Sequence, residues 1–345
     1  MASCVLSFDD VRAAGFPVYS LTLEEKWQEM RLLLDFDRSR LIEGGIVGQT
    51  MHGLALAWHY FPHAWSVRCG NKRTPSELFG DDRLLRVALE RRAKMGNCET
   101  ENDLRKALRT FSGTQSVSNF RPSAAAAIYD RYLPEEGGAV WDMSAGFGGR
   151  LLGAMACKKV TKYIGTDPAT LTMNGLCEMR GELTPMVEYL GYPVPRSELH
   201  KIGSEDFVPE PESLSLCFTS SPYSSHERYS DEPTQSYIRF PSNEEWLYGY
   251  MRMTLDNCRV GLMRDGFLAV NIAGVSSFPT LHEDFITLAV TNSWRLVETL
   301  QLALSAMPGT RSGPAYKYEP IYVFQRNLSS GEVTRPNSEK EIANK

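Results

Sequence analysis

Asp142 closes a short apolar run, Ala139-Val-Trp-Asp, and the chain continues Met-Ser-Ala-Gly-Phe-Gly-Gly-Arg. Gly146 and Gly148 remove side chains from a turn that leads into a helix, so backbone amides there can approach a ligand closely. The helix start adds unpaired N–H groups and the positive end of its dipole. Asp167 stands 21 residues after Gly146, at the end of the next apolar run. That is the usual place for an acid that hydrogen-bonds ribose hydroxyls. Position 151 is Leu, so the third glycine of Gly-x-Gly-x-x-Gly is missing and pyrophosphate packing is not favoured. A tight strand-helix joint is the plain alternative for the glycines alone; the joint spacing of Asp142, Gly146, Gly148 and Asp167 points to a nucleoside-bearing cofactor.

A second constellation, Thr219-Ser220-Ser221-Pro222-Tyr223, also ends an apolar run. An exocyclic base amine is a poor nucleophile because its lone pair is delocalised into the ring. Two hydrogen-bond acceptors for its N–H groups, with an aromatic ring to stack the base, would hold it in a reactive geometry. The Ser220 hydroxyl, the Ser221 carbonyl and the Tyr223 ring could fill these roles, on a turn stiffened by Pro222.

The elements that must position these residues follow from periodicity. Residues 21–110 read as mainly helical, with a capping box at Thr22 and Glu25, an apolar helix near 48–60, a short helix starting at Thr74 and a charged amphipathic helix over 81–95. Gly44 and Gly45 interrupt this pattern. Past residue 115 strands and helices alternate: helix 122–133, strand 139–143, helix 148–157, strand 162–167, helix 170–190, a short strand near 199–202, strand 214–219, helix 243–263 and strand 266–272. Two final strands, near 294–303 and 319–325, read as a hairpin. The expected fold is α/β, Rossmann-like, a mostly parallel sheet with an antiparallel last strand and an N-terminal helical region. The expected organisation is 1–115, 116–326 and a disordered tail over 327–345.

A composition of 42% hydrophobic and 23% charged residues is that of a soluble globular protein. The first residues lack the features of a signal peptide, and seven scattered cysteines without a Cys-x-x-Cys pair suggest a reduced, cytoplasmic setting. A net charge of -5 argues against a protein that coats nucleic acid by charge alone. Between Arg68 and Arg109, however, eleven Lys/Arg stand against seven acids. That stretch, Arg91 and Arg92 included, is either a phosphate-contacting face or a solvated helix surface. His59, His63 and Cys69 lack a fourth ligand at finger spacing, so no metal is expected.

Ser220-Ser221-Pro222-Tyr223 resembles the Ser/Asp/Asn-Pro-Pro-Tyr motif of amino-methylating DNA methyltransferases, and its Ser-first form is most similar to the cytosine-N4 branch. Asp142-Met-Ser144-Ala145-Gly146-Phe147-Gly148 resembles that family's cofactor motif, Asp-Pro-Phe-x-Gly-x-Gly. Ser118-Asn119-Phe120-Arg121-Pro122 is similar to its segment for the methionine end of the cofactor, and Lys317-Tyr318-Glu319-Pro320-Ile321 to the start of its last strand. The resemblance covers roughly residues 116–326, with the gamma-class order of motifs. It implies S-adenosylmethionine as cofactor, double-stranded DNA as partner, direct methyl transfer to cytosine N4 or adenine N6, and an accompanying restriction nuclease as a possible associate. Ser221 departs from the motif by replacing its first Pro. Asp206 is the expected contact to the adenine of the cofactor, or an ordinary helix cap. In the loop 224–243, His226, Arg228 and Tyr229 either meet nucleic acid or fill surface. Little chain follows the last strand, so target recognition is expected in 1–115 and in this loop. The alternatives are an RNA, protein or small-molecule methyltransferase on the same fold, or a non-catalytic module that binds cofactor and DNA.

Overall fold

The computed structural model describes residues 6–96, 99–306 and 316–327. Seven central strands are β1 (Gly138–Asp142), β2 (Val160–Thr166), β3 (Arg196–His200), β4 (Leu214–Ser220), β5 (Leu262–Asn271), β6 (Trp294–Ala306) and β7 (Tyr316–Arg326). They lie in the order β6-β7-β5-β4-β1-β2-β3. β1 to β5 pair in parallel, while β7 runs antiparallel between β5 and β6. This is the expected Rossmann-like arrangement. The chain order reverses direction between β1 and β4, which creates the crevice where ligands of such sheets bind. Strands covered on both faces need unbroken apolar runs, and β4 supplies one, buried from Leu214 to Thr219.

The helices on one face are α1 (Pro122–Tyr132), α2 (Gly149–Ala156) and α3 (Thr170–Tyr189), packed with Leu216 and Phe218 of the sheet in one cluster. On the other, α4 (Arg252–Gly261) and α5 (Leu281–Thr291) pack with Trp141, Trp246, Trp294 and Phe324. The helix expected over 243–263 starts at Asn243 behind a Ser242/Glu245 capping box and contains a π-helical turn at Trp246–Met251. Helix α5 was not among the expected elements, although Leu281, Phe285, Leu288 and Ala289 bury one helical face. Helix Phe8–Ala14 adds to the expected set, and Glu101–Thr110 lies at the end of the region expected to be mainly helical.

The apolar core runs across residue 115. Met30, Leu33, Trp58 and Phe61 belong to the same cluster as α1, α2 and α3. Gly44 and Gly45, both with positive φ, turn a hairpin whose strands are Ile42–Glu43 and Ile46–Val47. Its second strand pairs in parallel with β6, extending the sheet to nine strands. Leu78, Leu85, Leu89, Leu104 and Leu108 form a separate small cluster. The expected disordered tail beyond Asn327 and the loop joining β6 to β7 lie outside the described residues. Among the described residues no helix is long and apolar enough to cross a membrane.

Candidate functional site

A cavity of about 360 Å³ opens beyond the carboxyl ends of β1, β2, β4 and β5. The glycine turn forms one wall. Gly146 (φ 54°) and Gly148 (φ 73°) hold left-handed conformations, and Gly148 caps the start of α2. The Gly146 N–H donates to Asp167 Oδ2 at 3.0 Å, and the Ala169 N–H to Oδ1 at 3.0 Å. Burial pushes the Asp167 carboxyl up to about 6 against these two amides. At Gly149 an added Cβ would lie 1.9 Å from the Phe120 carbonyl oxygen, so the 118–121 segment rests directly on the helix start. The Asn119 carboxamide fastens it by donating to the Phe147 carbonyl at 2.8 Å.

Asp142 does not line this cavity. It is fully buried and accepts from Arg150 Nε at 2.9 Å and the Tyr163 hydroxyl at 2.7 Å. Arg150 also donates to the Ser144 carbonyl, so the Asp142–Arg150 pair shapes the turn from beneath. After β3, Glu205 lines the cavity and Asp206 does not. Arg239 holds Asp206 outside and reaches Glu205 Oε1 at 2.5 Å, while Glu205 Oε2 is buried without a partner among the described residues.

The turn Ser220–Tyr223 faces the same space. Ser220, Ser221, Pro222 and Tyr223 all line the cavity. Asn271, at the end of β5, donates through Nδ2 to the Pro320 carbonyl at 3.0 Å. That bond sets the orientation of its amide, leaving Oδ1 to accept from the Ser220 hydroxyl at 3.1 Å. Ser220 has therefore committed its proton, and its lone pairs remain as acceptors. The Ser221 N–H donates to the Asn271 carbonyl at 3.1 Å. Two acids join the turn, Glu319 under the Tyr223 hydroxyl at 3.5 Å and Glu227 accepting from Tyr229. Burial pushes the Glu227 carboxyl up to about 7 against the Tyr229 bond, with repulsion from Glu319 adding to the rise. Burial raises Glu319 too.

Of the other expected residues, Asn119, Phe120, Ser144, Phe147 and Tyr229 line the cavity, whereas Pro122, Ala145 and Gly148 stand behind it. Loop 224–243 folds back over the site: Glu232 accepts from the Thr170 N–H at 2.8 Å, capping α3, and Gln235 and Tyr237 face the cavity. Four expected nucleic-acid contacts lie elsewhere. Arg91 lies 5.1 Å over the Phe111 ring, and Arg92 pairs with Asp103 at 3.5 Å. The His226 ring packs beside Gly70, and exposed Arg228 pairs with the strand Arg68–Cys69. Among the described residues, three of the eleven basic residues of 68–109 pair with acids: Arg68 with Glu77, Arg92 with Asp103 and Arg105 with Glu101. His59 accepts from the Leu21 N–H at 3.1 Å, His63 packs on Phe147, and among the described residues no His/Cys/Asp/Glu group could hold a metal.

Sequence reasoning placed Ser204-Glu205-Asp206 at the adenine but chose Asp206 over Glu205, and it missed Glu227, Asn271, Arg109 and the side-chain role of Glu319. Glu227 and Glu319 lie inside segments already singled out. Asn271 gave no signal beyond ending an apolar strand.

No family model and no curated protein matches this chain. Solved structures do. A methyltransferase of Methanosarcina mazei, S-adenosylmethionine-dependent, matches with TM-score 0.42 and 11% identity over 58% of this chain and 97% of its own. The magnesium protoporphyrin IX methyltransferase of Synechocystis, with S-adenosylmethionine bound, matches with TM-score 0.38 and 14% identity over 59% and 77%. A TehB-like S-adenosylmethionine-dependent methyltransferase of Corynebacterium glutamicum matches with TM-score 0.36 and 14% identity over 61% and 89%.

Proposed function

We propose that this chain transfers a methyl group from S-adenosylmethionine to an exocyclic amine of a base in double-stranded DNA, cytosine N4 in preference to adenine N6. The observation that carries the reading is the pair of turns opening on one cavity, with the Ser220 proton committed to Asn271. S-adenosylmethionine supplies an electrophilic methyl group on a sulfonium. Asp167 keeps lone pairs free for ribose hydroxyls beyond the two amide N–H bonds it already accepts. Glu205 Oε2, buried and unpartnered, offers an acceptor to the amine of adenine. Asn119 and Phe120 close the end nearest the start of α2.

On the substrate side, Ser220 Oγ and the Ser221 carbonyl accept the two amine N–H bonds, and Tyr223 stacks the base. Holding both hydrogens favours a pyramidal nitrogen whose lone pair points at the methyl. The amine proton turns acidic only as the N–C bond forms and the sulfonium C–S bond breaks, and it then leaves to solvent, so Ser220 need only be an acceptor. A base reaches such a cavity by leaving the duplex stack.

The test is to incubate the protein with methyl-labelled cofactor and duplex DNA, digest the DNA to nucleosides and identify the product by mass. Label in N4-methylcytosine is the expected result. N6-methyladenine would overturn the preference for cytosine, and label confined to RNA or protein, or no transfer at all, would overturn the proposed substrate.

A further inference from the structure

Two arginines on the cavity wall have no acid partner among the described residues. Arg109, in the last turn of helix Glu101–Thr110, and Arg121, just before α1, both line the cavity. Among the described residues no carboxylate pairs with either, and the charged group that acts on Arg121 is Arg109 itself. The other groups facing Arg109 are the Tyr19 hydroxyl and Arg105, a third cation, already paired with Glu101. The Arg109 guanidinium lies 4.3 Å from the Trp65 ring centroid and 5.4 Å from that of Trp58, and its Nε is buried without a hydrogen-bond partner among the described residues.

Several other arginines withdrawn from water face an acid: Arg38 pairs with Asp130, Arg92 with Asp103, Arg150 with Asp142 and Arg239 with Glu205. Two like charges, both partly withdrawn from water and left unpaired, oppose folding unless something neutralises them. Burial depresses the pKa of both, in keeping with that cost. An arginine keeps its charge at any physiological pH, so deprotonation gives no relief. Only an anion from outside can.

We propose that Arg109 and Arg121 form an oxyanion subsite on the cavity wall, filled by a carboxylate or phosphodiester of a bound ligand. The planar fork of a guanidinium suits both, since each presents two oxygens for bidentate hydrogen bonds. The subsite itself stands independently of the proposed function; the identity of the anion rests on that reading. The two sources there are the carboxylate of the cofactor's amino-acid end and a phosphodiester of the DNA.

The first experiment uses inorganic sulfate at constant ionic strength. Sulfate should raise the Tm of the native protein, and Arg121→Gln and Arg109→Gln should each lose most of that rise. Without sulfate, Arg121→Gln should melt no lower than the native protein, because no partner is orphaned and a repulsion is relieved. Should Arg109→Gln fail to fold after losing its contacts with the tryptophans, Arg121→Gln carries the test alone. Equal sulfate effects in native protein and Arg121→Gln would overturn the proposal. So would a marked loss of stability in sulfate-free Arg121→Gln, which would reveal a hidden partner.

The second experiment assigns the source. If the anion is the cofactor's carboxylate, Arg121→Gln weakens S-adenosylhomocysteine roughly tenfold or more and leaves 5′-methylthioadenosine, which lacks the carboxylate, unchanged. If it is a phosphodiester, S-adenosylhomocysteine is unaffected, while duplex affinity falls and its log–log salt slope flattens by about one. Either pattern supports the subsite; unaltered binding of all three ligands would overturn it. Failure of the native protein to bind cofactor or DNA would refute the proposed function instead, and leave the sulfate result standing.

Discussion

Asn271→Ala tests whether the amine turn works as an acceptor. Asn271 is buried and makes two side-chain bonds, to the Ser220 hydroxyl at 3.1 Å and the Pro320 carbonyl at 3.0 Å. Losing two neutral hydrogen bonds of about 1 kcal/mol each predicts a loss of about 2 kcal/mol in stability. The catalytic effect is separate. Ser220→Ala removes an acceptor from an N–H that becomes charge-rich in the transition state, worth about 2 kcal/mol, or roughly 30-fold in rate. Asn271→Ala keeps the Ser220 oxygen but frees its proton to rotate toward the amine, so kcat should fall less, by roughly threefold to tenfold, since the hydroxyl can still turn its lone pair inward part of the time. The double variant should be no slower than Ser220→Ala. Asn271→Asp retains an acceptor for the hydroxyl but sets an anionic oxygen against the Pro320 carbonyl, so it should melt lower than Asn271→Ala while keeping more of its kcat. Single-turnover transfer of labelled methyl, measured below each variant's melting range, reads the rates. A loss in the double variant that multiplies the two single losses would refute the reasoning, as would native kcat in folded Asn271→Ala.

Three other predictions concern the same cavity. Glu227, pushed from its ordinary 4.5 up to about 7, holds a proton in the folded state that the unfolded chain releases earlier. The stability it contributes is complete below 4.5 and is lost as pH rises through 7, so chemical denaturation should show a falling slope there that Glu227→Gln flattens; an unchanged slope would count against the burial argument. Gly146→Ala meets nothing closer than 3.6 Å but keeps a φ of 54°, so it should fold with a loss of about 1–2 kcal/mol, whereas Gly149→Ala, with its Cβ 1.9 Å from the Phe120 carbonyl oxygen, should fail to fold or push the 118–121 segment off the start of α2. Circular dichroism melts separate them, and equal stability of the two would contradict the close approach. Ser221→Pro restores the residue of the resembled motif but deletes the N–H that bonds the Asn271 carbonyl at 3.1 Å. It should therefore lower both Tm and transfer rate, and a faster, equally stable enzyme would show that bond to be dispensable.

How much of this was legible in the sequence depended on whether the cause was local. The strand-to-helix turns at Gly146 and Ser220 were readable because an apolar run ending in a polar residue, then glycine or proline, is a backbone instruction within a few residues. The same holds for β1, β4 and α3. Helix α5 was readable in principle, from Leu281, Phe285, Leu288 and Ala289 on one face. The rest was decided by tertiary structure. Whether Asp142 meets a ligand or Arg150 depends on how α2 sits on β1. Whether Asp206 or Glu205 faces the cavity depends on Arg239, more than thirty residues away. The Gly44–Gly45 turn looked like an interruption, and only pairing with β6, some 250 residues on, made its strand part of the sheet. The charges diverged most: from the basic stretch Arg68 to Arg109 the sequence singled out Arg91 and Arg92, yet the arginines lining the cavity without an acid partner among the described residues are Arg109, at the end of that stretch, and Arg121. A sequence states which charges exist. Which of them remain unpaired is set by long-range contacts, because neutralisation depends on distances of a few ångströms between residues that the chain order leaves far apart.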